Sequence, residues 1–186
     1  MKRAMLAAAV LSAVTLLNGA ENLMKKPETT YKVDPGTWNE SAGKSKTLAR
    51  LVDPDLDRET GKRKGLLADG KGFQQGVAYN YANVKKENSF VTIDVDLSKP
   101  QTLSEIKVKV TVNNNIWNPD KVEILGSADG KEFKPLASGA EWVKGENIYV
   151  KVADFKGEWK DCRYVRFKVY TPSSWINVTE IEIYDK

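Results

Sequence analysis

Two segments of the 186-residue sequence concentrate side chains that suit sugar binding. The segment "TVNNNIWNPD" places several asparagines around a tryptophan, and "AYNYAN" alternates tyrosines with small or amide residues. An aromatic ring can cover the apolar C–H face of a pyranose, while amides fix its hydroxyl groups. The candidate carbohydrate-binding residues are Asn113, Asn115, Trp117, Tyr79 and Tyr81. An alternative stays open, because turn chemistry explains the asparagines, Trp117 can cap a core and both tyrosines have strand spacing.

Catalytic chemistry has few candidates in this sequence. Histidine is absent and Cys162 is the one cysteine, which excludes Ser/His and Cys/His nucleophile pairs, the usual zinc sites and an internal disulfide. We expect Cys162 to be a small buried hydrophobic residue. The remaining pair is Asp94 and Asp96, which share one strand face and could act as acid and base on a glycosidic bond. Nothing in the sequence indicates a cleft over them, so we predict that the protein is not an enzyme.

Strands position these residues. The runs "SFVTIDVDL", "EIKVKVTV", "RYVRFKVY" and "VTEIEIYD" alternate apolar and polar residues, which is typical of half-buried strands. In the last run this pattern places Ile181 and Ile183 inward and Glu180 and Glu182 outward. Asp-Gly at 129–130 predicts a hairpin turn between two short runs. Without sustained helical periodicity after residue 20, the pattern predicts an all-β sandwich or barrel.

The first 20 residues have the pattern of a bacterial-type secretory signal peptide. Lys2 and Arg3 precede an apolar stretch over 4–17, which Gly19 and Ala20 follow. The stretch is short for a membrane span, which needs about 20 apolar residues, so we expect a secreted or periplasmic mature chain without a transmembrane segment. An uncleaved signal anchor is the alternative.

The rest of the sequence is predicted to form one domain over 21–186. Residues 21–64 are irregular, with a first strand over 29–33 and a long loop, and residues 65–186 hold the regular strands. The 29 basic and 25 acidic residues nearly balance, and no long basic run is present. This charge pattern gives no indication of nucleic-acid binding.

Five motifs in a fixed order resemble the discoidin-like, coagulation-factor type C family. They are "LLADGKG", "VTIDVDLSKPQTLSEIKVKV", "KVEILGSADGKEFKPL", "CRYVRFKVY" and "WINVTEIEIYDK". The resemblance covers about residues 65–186 and implies a jelly-roll β-sandwich of the galactose-binding-like superfamily. It departs from the family pattern at Ala68, where threonine is usual, and a tryptophan often found soon after Gly70 is missing.

The resemblance also implies a function. Similar exported bacterial domains commonly bind carbohydrate without catalysis, and they often hold a structural calcium ion between an Asp-Gly loop and the last strand. Asp69 and Glu180 stand at those positions in this sequence. We therefore predict an exported carbohydrate-binding module that binds glycan or cell-surface polysaccharide through loops at one end of the sandwich. The alternative is a cell-surface or periplasmic module that binds an envelope protein and no sugar.

Overall fold

The computed structural model describes residues 20–34, 65–70, 77–80, 90–112, 119–170 and 175–186. Its strands are β1 (Thr30–Asp34), β2 (Val77–Asn80), β3 (Phe90–Thr111), β4 (Val122–Ser127), β5 (Lys134–Gly139), β6 (Val143–Lys144), β7 (Val150–Tyr170) and β8 (Trp175–Asp185). Two short 3₁₀ turns cover Leu23–Lys25 and Leu66–Ala68. The first strand thus lies within one residue of its predicted bounds, and the predicted signal peptide lies outside the described residues except for Ala20.

Two long strands organise the fold, because each bends and contributes to two layers. β3 bends near Ser98, whose φ is 68°, and β7 bends near Asp161, whose φ is 57°. The pairing of β3 with β7 shifts register between Asp96 and Glu105. A positive φ is rare outside glycine and interrupts the extended backbone of a strand. The bends therefore divide β3 and β7 into segments before and after them, and we name this end of the molecule the bend end.

The strand pairings define two antiparallel layers. In the first layer, β1 and the last segment of β7 flank the first segment of β3, and β4 and β5 follow beside β7. In the second layer, β8 and the first segment of β7 flank the second segment of β3, with β2 beside β8 and β6 beside β7. The order from edge to edge is β2-β8-β3-β7-β4-β5. The predicted all-β jelly-roll sandwich is confirmed.

The alternating residues of both layers meet in one apolar core. Val91, Ile93 and Val95 of the first layer are buried together with Ile181 and Ile183 of the second. Burial of these side chains is the main stabilising contribution, at about 1.5–3 kcal/mol for each large aliphatic residue. Among the helices in the described part of the chain, none is long and apolar enough to cross a membrane.

Two smaller predictions are also confirmed. β4 and β5 pair as a hairpin, and Gly130 in their connection has a φ of 77°. Cys162 is buried and is 3% exposed. Burial raises the pKa of its thiol, and the nearby charge of Asp161 adds to that effect. The thiol is therefore protonated and unreactive near neutral pH.

Candidate functional site

Several strands begin or end on the side of the sandwich opposite the bends. We name this side the loop end. Phe90 at the start of β3 pairs with Tyr170 at the end of β7, and Thr111 at the end of β3 pairs with Val150 at the start of β7. The backbone N–H of Tyr170 donates to the carbonyl oxygen of Lys121 at 2.8 Å. Along the chain, β3 of the second layer is followed by β4 of the first, and β7 of the first layer is followed by β8 of the second, so ends of both layers meet here.

Of the five candidate sugar-binding residues, the structure describes Tyr79. Asn113, Asn115 and Trp117 lie in the 113–118 connection and Tyr81 lies in 81–89, which are outside the described residues. Tyr79 belongs to β2, where its backbone pairs with Ile176. β2 ends at Asn80, opposite Trp175, and β3 ends at Thr111. Both sequence segments therefore leave their strands at the loop end.

An exposed aromatic residue that no sequence motif predicted, Tyr149, lies beside Val112, the residue after β3. The N–H of Val112 donates to the carbonyl oxygen of Tyr149 at 2.7 Å. Tyr149 is 41% exposed, and its neighbour Ile148 is 68% exposed. The side chain of Asn147 accepts from the N–H of Tyr149 at 2.8 Å, which fixes the turn. The sequence signal was the "GENIY" segment, in which glycine and asparagine form a turn that displays the tyrosine.

The short turn that precedes Asp69 packs against the last strand. The turn Leu66–Ala68 packs against β8, and the side chain of Leu67, in the middle of this turn, is fully buried. The hydroxyl of Tyr31 accepts from the N–H of Leu67 at 3.4 Å, which ties the turn to β1. Asp69 follows this turn and is exposed. The fold thus brings the elements that carry Asp69 and Glu180 to the same side of the molecule.

Glu180 lies on the same face of β8 as Glu182, because both carboxylates contact Lys109, but it is only 1% exposed, so the expectation of a solvent-facing residue is wrong. β8 shifts register against β3 between the pairs Lys109–Glu180 and Val110–Val178. Thr179 is the extra residue in β8, and from Glu180 onward the strand keeps its regular register with β3. The turns Leu23–Lys25 and Leu66–Ala68 pack against β8, so parts of the chain distant in sequence surround this strand.

One lysine, Lys109, forms ion pairs with two carboxylates on β8. The Nζ atom of Lys109 lies 2.8 Å from Glu182 Oε1 and 3.4 Å from Glu180 Oε2. Burial raises the pKa of Glu180, whereas the charges of Lys109 and Lys25 oppose that rise. Burial also acts on Glu182, but hydrogen bonds from Lys109 and Tyr184 outweigh it and lower the pKa of Glu182. Glu180 is therefore the less well compensated carboxylate of the two.

The donor set near Glu180 fits a hard cation only if the backbone contributes. Calcium prefers 6–8 oxygen ligands from carboxylates and carbonyls, at about 2.3–2.6 Å. Glu180 offers a buried carboxylate, and the buried hydroxyl of Thr179 has no hydrogen-bond partner within the described part of the chain. Among described residues, no group of three or more acidic, histidine or cysteine side chains converges. Backbone carbonyls would have to complete the shell.

Asp94 and Asp96 lie on the outward face of the first layer, in a cleft of about 320 Å³ that the sequence analysis did not anticipate. Both oxygens of Asp94 accept from Arg166, at 2.6 and 2.9 Å, and both oxygens of Asp96 accept from Arg163, at 3.0 and 3.1 Å. The hydrogen bond from Arg163 lowers the pKa of Asp96. A glycosidase acid needs a raised pKa, so this pairing opposes a catalytic role.

Comparison with known proteins identifies relatives of the same fold. The model of the F5/8 type C domain matches residues 55–182. No curated protein matches the chain. The family 32 carbohydrate-binding module of Clostridium perfringens NanJ, solved with galactose, is 14% identical, with 89% of this chain and 98% of that chain covered and a TM-score of 0.53. The C. perfringens module CpGH89CBM32-6 is 22% identical, with 89% and 100% covered and a TM-score of 0.52.

A module from another kind of enzyme is also similar. Chitosan-binding module 1 of a Paenibacillus chitosanase/glucanase is 14% identical, with 89% of this chain and 99% of that chain covered and a TM-score of 0.52. At these identities the likeness establishes the shared fold, whereas the ligand depends on loop side chains.

Proposed function

The chain belongs to the F5/8 type C domain family, and from that premise we propose that it is an exported, non-catalytic carbohydrate-binding module. Its ligand is a glycan or cell-surface polysaccharide, which it binds through connections at the loop end. Export is supported by Lys2, Arg3 and the apolar stretch over 4–17. The non-catalytic character is supported by the absence of histidine and by the arginine pairing of Asp94 and Asp96.

The observation that carries this proposal is the exposure of Tyr149, whose carbonyl accepts from Val112, the residue that precedes the sequence segment of Trp117 and its asparagines. A tyrosine ring presents a broad apolar surface at a low entropic cost, because only two side-chain torsions must be fixed. Asn113 and Asn115 then supply amide donors and acceptors for sugar hydroxyls. A shallow site of this kind binds one sugar unit weakly, with a Kd of about 0.1–1 mM.

Glycan-array screening followed by calorimetric titration tests the proposal. The array includes galactose-, N-acetylgalactosamine- and fucose-terminated glycans and chitooligosaccharides. We expect Tyr149→Ala to weaken binding about tenfold, whereas Tyr149→Phe keeps the ring and retains most of the affinity. Trp117→Ala should weaken binding similarly. Wild-type affinity in both alanine variants would exclude the loop end as the binding site.

We also propose that Glu180 and Asp69 hold a structural calcium ion, with Thr179 or backbone carbonyls completing the ligand set. The proposal is supported by a buried carboxylate that shares its lysine with Glu182, and by the packing of the Leu66–Ala68 turn on β8. A bound divalent cation supplies positive charge to Glu180 and joins the Asp-Gly segment to the last strand. Its role would be to stabilise the fold, without any part in catalysis.

The second candidate function is binding to an envelope protein. It is favoured by the exposed apolar side chains of Val143 and Ile148, at 59% and 68%, because such groups suit a protein interface. Capture from an envelope extract, with Ile148→Ser as the comparison, separates the two functions. A specific protein retained by the wild type and lost by Ile148→Ser, without any glycan response, would support this alternative.

A further inference from the structure

The cleft on the outward face of the first layer, which we name the face cleft, is lined by two rows of side chains. Each row crosses three strands. Lys32 of β1, Asp94 of β3 and Arg166 of β7 are aligned in one row by the strand register. Thr30, Asp96 and Tyr164 form the next row toward the bend end. These residues line a concave volume of about 320 Å³, which is at the lower end of the range for small-molecule sites, about 300–1,000 Å³.

The connection between β4 and β5 forms a rigid wall of this face cleft. The Asp129 carboxylate accepts from the N–H of Lys131 at 2.8 Å, and the Ser127 hydroxyl accepts from the N–H of Gly130 at 2.9 Å. Gly130 lies directly against Tyr164, whose ring atoms would be 3.2–3.3 Å from a Cβ at position 130. A wall fixed by its own hydrogen bonds loses little entropy when a ligand binds.

Two ion pairs neutralise most of the charge in the face cleft, and the other two charged residues of its lining, Lys32 and Asp129, have opposite signs. Arg166 donates to both oxygens of Asp94, and its guanidinium also lies 4.1 Å from the centre of the Phe133 ring. Arg163 neutralises Asp96 in the same way. A carboxylate oxygen that accepts one hydrogen bond keeps a second lone pair for another donor. The cleft therefore offers strong acceptors without a net charge to satisfy.

This combination favours a neutral ligand with many hydroxyl groups over a metal ion or a cationic peptide. A metal ion would have to displace an arginine from a bidentate pair, which is among the stronger hydrogen-bonded contacts in proteins. Sugar hydroxyls, in contrast, donate to carboxylate oxygens while the ion pair stays intact. The edges of Phe133 and Tyr164 add apolar surface for the C–H groups of a pyranose.

We propose that the face cleft is a second glycan-binding site, separate from the loop end and specific for a neutral sugar unit. For its ligand class this inference rests on the proposed function. Asp94 lies four residues along β3 from Phe90, a distance of about 13 Å at the rise of a β-strand. Two weak sites on one domain can engage one polysaccharide chain together, which raises the overall affinity without tighter contacts at either site.

Nuclear magnetic resonance titration of the ¹⁵N-labelled chain with lactose and with chitotriose tests this site. The backbone amides of Lys32, Gly130 and Tyr164 report on the face cleft, and those of Val112 and Tyr149 report on the loop end. We expect both groups of amides to shift, each with its own millimolar Kd. Thr30→Trp fills the cleft from an exposed strand position. It should raise the Kd obtained from the face-cleft amides at least tenfold and leave the Kd obtained from the loop-end amides unchanged.

A second variant and its control address the ion pair itself. Asp94→Asn combined with Arg166→Gln removes both charges and keeps side chains of similar size. It should also raise the Kd obtained from the face-cleft amides about tenfold. The matched control, Glu158→Gln with Lys186→Gln, removes an exposed ion pair outside the cleft and should change neither response.

Each alternative outcome is distinct. Loop-end shifts without face shifts would overturn the second site and leave the proposed function standing. Face shifts without loop-end shifts would support the face cleft and contradict the proposed loop-end site. The absence of shifts in both groups of amides with lactose, with chitotriose and with every array-positive glycan would overturn both proposals. Face shifts that persist in both cleft variants, or that appear only with a tetralysine peptide, would also overturn the second site.

Discussion

Replacement of Glu180 by glutamine gives the sharpest test of the calcium site. Without calcium the effect should be small, because Lys109 keeps its 2.8 Å contact with Glu182 and no buried charge is left alone. We expect the free energy of unfolding of Glu180→Gln in EGTA to lie within about 1 kcal/mol of the wild-type value. The amide has nearly the same shape as the carboxylate, so packing around the bulge at Thr179 should persist.

With calcium present, the wild type and the variant should separate. A ligand at one hundred times its Kd stabilises the native state by about 2.7 kcal/mol. For a chain of this size, that gain corresponds to an increase in Tm of about 5–10 °C. A hundredfold loss of affinity in Glu180→Gln would reduce the gain to about 0.4 kcal/mol.

Thermal denaturation followed by circular dichroism, in calcium chloride and in EGTA, measures both effects. Glu182→Gln is the matched control, because it lies on the same strand and contacts the same lysine but is not a proposed ligand. It should keep the full calcium-dependent gain in Tm. An equal gain in Glu180→Gln, or no gain in the wild type, would refute the proposed site.

Three further predictions concern the hairpin, the outward ion pairs and the thiol. Gly130→Ala should destabilise the fold by about 1–3 kcal/mol in urea denaturation, because Gly130 has a φ of 77° and a Cβ there would press on a tyrosine ring at 3.2 Å. Gly65→Ala, with a φ of 78° and open space around it, should cost less. Because Arg163 lowers the pKa of Asp96, this pair should contribute stability above about pH 4 and lose it as the pH falls through the lowered value. Asp96→Asn should therefore flatten the decline in stability between pH 4 and pH 2, and an unchanged slope would contradict the pairing. Cys162 should react with a thiol reagent only in urea, and rapid labelling of the native chain would contradict its burial.

The sequence was sufficient for the regular parts of the fold because their alternation matches the period of a strand. The pattern over "SFVTIDVDL" predicted which side chains of β3 are buried, and the structure agrees. Asp129-Gly130 predicted the β4–β5 hairpin for a similarly local reason, the positive φ of its glycine. Periodicity and turn chemistry are properties of short segments, and a single sequence expresses them directly.

Features that depend on distant contacts were not predictable in this way. Glu180 is buried on a strand against which the turns Leu23–Lys25 and Leu66–Ala68 pack, and no local pattern marks those contacts or the extra residue at Thr179. The face cleft exists because β1, β3, β7 and the β4–β5 connection meet on one surface. Asp94 was recognised as chemically interesting, but its arginine partner lies 72 residues away in sequence. The position of Tyr149 at the loop end follows from its contact with Val112, which is distant in sequence.

The central claim is glycan binding at the loop end, and calorimetric titration of the purified chain in calcium chloride tests it most directly. The titrants are the array-positive oligosaccharides, and the wild type is compared with Tyr149→Ala and Tyr149→Phe. The account predicts a Kd of about 0.1–1 mM for the wild type, a value about tenfold higher for Tyr149→Ala and little change for Tyr149→Phe. No heat of binding with any of the glycans, from a protein that still unfolds cooperatively, would contradict it.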